Sequence, residues 1–389
     1  MESRRKLSLL NSVFMTTTPF LAVGLSIYYL ITQGLHWGDV ALFGAMYILT
    51  GMAITAGYHR YYSHRAYDCH WAVQLFYLLF GAAAIENSAL KWCRDHRLHH
   101  QKVDTDEDPY NIKKGFFYAH MGWIFYETPK DRTFACVPDL QRDPLVQWQN
   151  NHFFKILIVV GFVMPTLIGA AYGRPLGGFL FGGLVRAVFV QHTTFLINSA
   201  AHYFGTRPYS VNNTARDTWW LAFFTYGEGY HNFHHRFGAD YRNGYKWYQF
   251  DPTKWWIKTL NVVGLSWRLT RFRAEHILKA RIEADIRRVQ LKIADAPDAL
   301  SARIQKRMAD AQLQLETAYN RLAEAKIRYR KLKRSVVASS EIATTRLANS
   351  LEQWKLRNRQ YKFQFRAAQA RWALLIAAFS RFQLQTPIT

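Results

Sequence analysis

The sequence predicts an all-α membrane protein: four transmembrane helices in two hairpins, a cytoplasmic helical cap, and a C-terminal antiparallel coiled-coil hairpin. Three observations carry this reading. They are four long apolar runs, three short clusters of histidine, and two heptad-periodic stretches near the C-terminus. Together they divide the 389 residues into a membrane-embedded domain, residues 1–285, and a basic helical extension, residues 286–389.

The first run, residues 14–31, is uncharged and about as long as a helix needs to cross a hydrocarbon core roughly 30 Å thick. Further runs cover residues 40–56, 156–172 and 176–199, the last interrupted only by Arg186. Short links pair them: QGLHWGD, without Lys or Arg, joins the first two, and a tight GRP turn joins the last two. No small-residue cleavage site follows the first run, so it reads as an anchor rather than a signal peptide. Arg4, Arg5 and Lys6 place the N-terminus on the cytoplasmic side by the positive-inside rule, with both turns outside. The fifth run, Ala72 to Ile85, is short for a span. If it crossed once, the histidines on its two sides would be separated by the bilayer. It is therefore expected to be buried, re-entrant or interfacial.

Composition excludes other classes. With 50% hydrophobic and 16% aromatic residues the chain can repay its conformational entropy, so it is not disordered. Three scattered cysteines cannot form a disulfide framework. The net charge of +23 invites a nucleic-acid reading. Its distribution argues against that: residues 1–274 carry 27 basic and 17 acidic residues (+10), and residues 275–389 carry 23 and 10 (+13). No nucleic-acid partner is expected.

Fourteen of the fifteen histidines fall between His36 and His235. The clusters are His59-Arg-Tyr-Tyr-Ser-His64, His96-Arg-Leu-His-His100 and His231-Asn-Phe-His-His235. On a helix, positions i, i+3 and i+4 share a face, so H-x-x-H-H aims three imidazoles one way. Neutral imidazole is the commonest side-chain metal ligand. Nitrogen donors without thiolates suit iron, copper or zinc, and eight are too many for one ion and about right for two. The cap thus reads as a di-metal cap. In Asn198-Ser-Ala-Ala-His202 the i, i+4 relation adds His202 as a ninth imidazole and lets the Asn198 amide hold a metal-bound water. Metal-bound imidazoles need acceptors on their other nitrogen, and Asp95, Asp104 to Asp108 and Glu228 are the candidates. His36, His70, His120, His152, His192 and His276 are read as structural, with His120 and His192 the two to examine first.

These boxes, with Asn198-x-x-x-His202, resemble the membrane-bound fatty acyl desaturases, and more narrowly the acyl-CoA delta-9 (stearoyl-CoA desaturase-like) type. The flanks agree: Trp92-Cys-Arg-Asp-His-Arg97, Asp108-Pro-Tyr-Asn111, Lys113-Lys-Gly-Phe-Phe117 and Gly227-Glu-Gly-Tyr. The resemblance runs from about residue 12 to about 285. It implies a non-haem di-iron enzyme that uses O₂ and two electrons to insert a cis double bond into a saturated acyl chain. One iron would take His59, His64, His96, His100 and His234; the other His99, His202, His231 and His235, with Asn198 through water. No catalytic residue beyond the metal ligands is implied. The acyl-CoA substrate would be held by Asn87, Trp92, Arg94, Asp95, Lys113 and Lys114, with Phe195 where the family has a Trp beside the acyl tunnel. Glu86 and Lys91 also depart from the animal pattern.

Desaturation itself agrees with elementary chemistry. Hydrogen abstraction from an alkyl CH₂ exceeds the power of any side chain, so a metal must supply the oxidant. An acyl-lipid desaturase or a di-iron fatty acyl hydroxylase would use the same boxes. A metal transporter would instead place ionisable groups at mid-span. The chain carries no haem-binding or Cys-rich iron–sulfur pattern, so a separate electron donor of the ferredoxin, rubredoxin or cytochrome b5 kind is expected. A bacterial inner membrane is expected ahead of the endoplasmic reticulum, with the N-terminus, boxes and tail cytoplasmic.

In the tail, Ile304, Met308, Ala311, Leu315, Ala318, Leu322, Ala325, Tyr329, Leu332 and Val336 alternate steps of four and three. Leu351, Trp354, Asn358, Tyr361, Phe365, Ala368, Trp372, Leu375, Phe379 and Phe382 do the same. Each is an a/d seam of a coiled coil. Asp298 after Pro297 is placed to cap the first helix, and VASSEIATT suits the turn between them. The basic faces fit anionic headgroups or an acidic electron donor.

Overall fold

The computed structural model describes residues 6–127, 132–294, 296–337 and 344–381. The fold is almost wholly helical; the one sheet among the described residues pairs Asp68 with Trp267 and Cys69 with Ser266. By its internal contacts it divides into two compact units, Met1–Ala280 and Arg281–Thr389.

In the first unit, among the described residues, four helices are long and apolar enough to cross a membrane: Leu9–Gln33, Trp37–Ser63, Phe153–Ala171 and Pro175–Tyr203. The first, second and fourth contain their expected runs and extend beyond them; the third starts three residues before its run and stops one short, at Ala171. The second span overshoots most. Its α-helix, Trp37–Met52, continues as a π-helix through Ala53–Ser63. Such i→i+5 turns are rare overall but frequent at functional sites, and here they carry the first histidine box out of the apolar region. The helix Trp71–Ala83 is 13 residues, about 20 Å at 1.5 Å per residue, which is short of a hydrocarbon core. It is packed rather than spanning, with Tyr77, Leu78, Ala82 and Ala83 fully buried. The boxes before and after it thereby stay on one side.

The two hairpins are tied at their turns. Asp39, fully buried, accepts hydrogen bonds from the hydroxyls of Tyr29 and Tyr172 (both 3.0 Å) and lies 3.4 Å from Arg174. Arg174 donates to the carbonyls of Gln33 and Gly34, so the one acid and the one base at these turns neutralise each other. The third and fourth spans approach so closely that a Cβ on Gly178 would stand 2.3 Å from the Pro165 carbonyl oxygen. Only glycine allows that approach.

Arg186, the charge that interrupts the fourth run, is fully buried. It donates to the carbonyls of Gly161 (3.0 Å), Gly182 (3.1 Å) and Ala83. Gly161 and Gly182 lie in π-helical turns of the third and fourth spans, where backbone acceptors are released from the regular ladder. The guanidinium satisfies them in a region without water.

The second unit holds the end of the helix Ala274–Lys292 and two long helices, Asp298–Val337 and Thr344–Arg381. The long helices run antiparallel: Tyr319 meets Phe365 (5.6 Å between rings), Asn358 Nδ2 donates to Ala325 O (3.3 Å), and Arg328 covers Trp354 (5.3 Å). Seam residues with described side chains are all buried or half-buried, Leu315 and Ala325 most deeply. Those of Val336 and Phe382 and most of the turn segment lie outside the described residues. Asp298 is the first helical residue rather than the cap, and Pro297 O receives the amides of Leu300 and Ser301 (2.9 Å each). Trp372 Nε1 donates to Asp285 (2.8 Å) and fastens the second long helix to the preceding one.

Arg186→Ala is expected to strand three carbonyls at about 1–3 kcal/mol each. Lower monodisperse yield and a lower Tm in detergent would record the loss; a wild-type Tm would contradict it.

Candidate metal centre

Nine histidines converge in the first unit as two groups. His59, His64, His96, His100 and His234 form one; His99, His202, His231 and His235 form the other. Within each group the ligand nitrogens all lie within 4.8 Å of one another. Local structure explains the partition. His59 and His64 are five apart, which an α-helix would turn away from each other, but the π-turn returns them to one face with rings 4.9 Å apart. In each H-x-x-H-H box the i and i+4 rings point to one group and the i+3 ring to the other. His96 and His100 go with the first group and His99 with the second; His231 and His235 go with the second and His234 with the first. Each of these two boxes therefore contributes to both groups, while His59 and His64 both join the first.

The rings meet through Nε2: His59 and His234 at 2.9 Å, His64 and His96 at 2.8 Å, His234 and His100 at 3.0 Å. In the second group His231 lies 3.1 Å from His202 and 3.0 Å from His235, and His99 lies 3.3 Å from His235.

The opposite nitrogens decide what those Nε2 atoms are. His59 Nδ1 lies 3.0 Å from Glu228 and His99 Nδ1 2.8 Å from Asp108. His202 Nδ1 lies 2.8 Å from the Thr214 hydroxyl. Thr214 gives its own proton to Asp104 (2.6 Å), so it must accept from His202. All three rings thus carry a proton on Nδ1 and turn Nε2 toward their group. Burial, then the neighbouring imidazoles, push His64, His96, His100, His231, His234 and His235 far below the ordinary imidazole range, so these six are neutral and offer Nε2 lone pairs. Lone pairs three ångströms apart repel unless they share cations. The donor set, all nitrogen and no thiolate, fits two first-row metal ions.

A buried charge layer supports the rings. Glu228 also accepts from Arg60 (2.8 Å) and Asn243, and Arg60 reaches Asp251 (3.0 Å). Burial alone would raise the Glu228 carboxyl; His59 and Arg60 hold it below its usual value. Asp108 is likewise held low against burial, by His99 and by the amides of Tyr110 and Asp104. Asp95, a candidate acceptor, instead pairs with Arg94 (2.8 Å) and Arg132 (3.3 Å). Thr214 and Arg60 were not legible beforehand, because neither has a spacing that points to a metal.

A cavity of about 520 Å³ abuts both groups, touching His59, His96, His99 and His231. Asn87, Trp92, Asp95, Phe195 and Asn198 line it, and Trp92 stacks on His96 (5.0 Å). Arg94 stands outside the lining, over the Phe134 ring (4.8 Å). Lys113 and Lys114 also stand outside it, Lys113 donating to Asp104 O (3.0 Å) and Lys114 lying 3.4 Å from Asp106. Arg132, Tyr118 and Glu86 line the cavity without having been singled out for it. His120 and His192 join neither group; they bond each other (3.0 Å), and His120 bonds Ser199 (3.0 Å). His36 and His70 cap helices through Nδ1.

Glu86 accepts from Trp92 Nε1 (3.2 Å), and burial pushes its carboxyl up to about 8. The folded state therefore holds a proton that the unfolded chain releases near 4.5, and stability falls as pH rises between those values. Glu86→Gln is expected to flatten the Tm–pH profile from pH 6 to 8; an unchanged slope would contradict this. Thr214→Val is expected to lower metal affinity about 10–100-fold, read by metal content after dialysis; full retention would show that Thr214 does not orient His202.

Comparisons with known proteins agree with this centre. The family model for fatty acid desaturase matches residues 35–269. Acyl-CoA desaturase 1 of Saccharomyces cerevisiae is 43% identical over 259 residues, 66% of this chain and 51% of the relative. A probable acyl-CoA desaturase of Schizosaccharomyces pombe is 41% identical over 281 residues, 72% of this chain and 58% of the relative. The sn-1 stearoyl-lipid 9-desaturase of Anabaena variabilis is 33% identical over 246 residues, 62% of this chain and 87% of the relative. The chain thus spans little more than half the length of the two yeast relatives. With the family match covering more than half of its residues and all three histidine boxes inside it, the chain belongs to the fatty acid desaturase family.

Proposed function

We propose that this protein is an O₂-dependent acyl-CoA desaturase that inserts a cis double bond at the delta-9 position of a saturated acyl chain. The observation that carries this reading is the contact between two all-imidazole groups and an apolar-walled cavity. The overall change is R–CH₂–CH₂–R′ + O₂ + 2e⁻ + 2H⁺ → R–CH=CH–R′ + 2H₂O. Two iron ions, one held by His59, His64, His96, His100 and His234 and one by His99, His202, His231 and His235, would supply the oxidising power that side chains lack. Asn198 faces the cavity beside the second set and would hold a water there.

The chain's own residues do the rest. Glu228, Asp108 and Thr214 orient the imidazoles and keep their Nε2 lone pairs free. The cavity walls exclude water and fix one methylene pair, where about one ångström of misplacement costs orders of magnitude in rate. A saturated chain has no polar handle, so its register is set from the head group. Asn87 and Asp95 would hold that end at the lining, with Arg94, Lys113 and Lys114 available to phosphates outside it. Trp92 and Phe195 would shape the tunnel wall.

Electrons would come from a separate ferredoxin-, rubredoxin- or cytochrome b5-like protein. The positive-inside rule supports a cytoplasmic N-terminus, cap and tail. Relatives from two yeasts and a cyanobacterium give no support for preferring a bacterial inner membrane, and that preference is withdrawn. The C-terminal helices, with an a/d seam shielded along its described length, are proposed as an antiparallel coiled-coil extension to a desaturase domain of residues 1–285.

The test supplies membranes containing the protein with saturated acyl-CoA, oxygen and a reducing system, and maps products by mass spectrometry. A cis-monounsaturated acyl-CoA is expected. Hydroxylated product alone would overturn the reaction assignment, and product found only in phospholipid would overturn the acyl-CoA assignment. His99→Ala and His234→Ala are each expected to abolish product and lower iron content from about two per chain while protein still accumulates; full activity in either would overturn the ligand assignment.

A further inference from the structure

The cavity beside the metal centre is walled on one side by two membrane spans. Leu10, Phe14 and Met15 come from the first, and Phe154, Ile158 and Phe162 from the third. Three of these are strongly exposed on the outer surface: Leu10 at 75%, Phe154 at 71% and Ile158 at 54%. A side chain can line an interior cavity and also lie on the outer surface only where the wall is open. The opening therefore lies between the two helices.

Its depth follows from helix geometry. Leu10 to Met15 on one helix and Phe153 to Phe162 on the other cover about 8 and 14 Å at 1.5 Å per residue. Both stretches start at the helix end nearest the histidine boxes and run into the apolar part of the spans. The charged lining residues, Glu86, Asp95, Glu127, Arg132 and Glu228, come from outside those spans. The opening thus runs from headgroup level into hydrocarbon depth, where water does not fill it and acyl chains do.

The first span suits a movable wall. Only 17% of its most apolar stretch is buried, against 56% for the second span, and its buried contacts reduce to Met15, Ala22 and Tyr29, one every two turns. Its start is pinned by polar bonds to a neighbouring wall of the same cavity: Ser8 N donates to Phe125 O (2.8 Å) and Asn11 Nδ2 to Ile124 O (3.0 Å).

We propose that acyl chains pass between this cavity and the bilayer through a lateral slot between the first and third spans. The proposal rests on the acyl-substrate reading above and adds the route. The physical reason for a lateral route is that withdrawing a long apolar chain headfirst exposes every methylene to water, whereas a slot at hydrocarbon depth keeps it in an apolar medium throughout.

The test uses the full chain in nanodiscs of phosphatidylcholine carrying a diazirine in its acyl chain, irradiated and mapped by mass spectrometry. Adducts are expected on Phe195 and Ile54, which line the cavity and are 5% and 1% exposed, beyond the reach of lipid that stays outside. Saturated acyl-CoA should reduce these adducts several-fold while those on outward-facing Phe20 and Ile31 persist. A diazirine acyl-CoA in plain phosphatidylcholine should label the same two interior residues, which separates chains supplied by CoA from chains supplied by lipid. Leu10→Trp with Ile158→Trp, which narrows the opening, should lower lipid-derived interior adducts several-fold and leave Phe20 labelling unchanged. Lipid adducts confined to Phe20 and Ile31, in nanodiscs that still desaturate acyl-CoA, would overturn the slot and leave the function intact. Failure of acyl-CoA both to label the cavity and to yield product would overturn the acyl reading and the slot with it.

Discussion

The structure depends on one electrostatic constraint: nine imidazoles from four segments must bring their Nε2 atoms together in a largely buried site. Such convergence is repulsive by itself and favourable only around cations, so metal binding and completion of the cap are linked free energies. Everything on that side of the spans serves the convergence. The π-turn at the end of the second span rotates His64 back over His59, and the short packed helix Trp71–Ala83 returns the chain to the same side for the second box. The fourth span ends at His202, within reach of the third box.

Rings with free rotation would not hold this geometry, and a layer of buried charge removes that freedom. Burial works against an ionised Glu228; Arg60, which also pairs with Asp251, offsets it and so keeps Glu228 an acceptor for His59. Asp104 plays the same part at one remove, by claiming the Thr214 proton and leaving that oxygen to His202. Arg186 solves the converse problem within the spans, where one charge satisfies three carbonyls that two π-helical segments and a helix end release.

The cavity joins these two regimes. Where it touches the histidines its wall is polar and ordered by hydrogen bonds; toward the first and third spans it is phenylalanine, leucine, isoleucine and methionine, with Asn11 the one polar side chain. A ligand matched to it has an apolar body and a polar end, and its reactive point is set by where the two environments meet rather than by any hydrogen bond to the reacting carbons. That is the sense in which a cavity can choose one methylene pair among many alike.

Periodic features were legible in the sequence because they depend only on local geometry. Hydropathy alone located the four spans, the clustering of eight histidines in three short boxes, with His202 after Asn198, marked nine imidazoles as one apparatus, and the seam from Ile304 onward named the shielded faces of the tail. Asp108 and Glu228 could be suspected from proximity in the chain. Which acid reaches which ring could not, and Asp95, next to a box, turned out to serve Arg94 and Arg132. Lys113 and Lys114 lie near the boxes in sequence yet outside the cavity lining, while Arg132 lies within it. The π-turns, the Arg60 triad, the Asp104–Thr214–His202 chain and the opening between the first and third spans belong to tertiary structure alone. Each joins residues far apart in the chain or depends on a backbone register that no local pattern encodes. The sequence by itself determined that the chain crosses a membrane and gathers imidazoles. Only packing decided how those imidazoles divide between two centres and which residues face the space beside them.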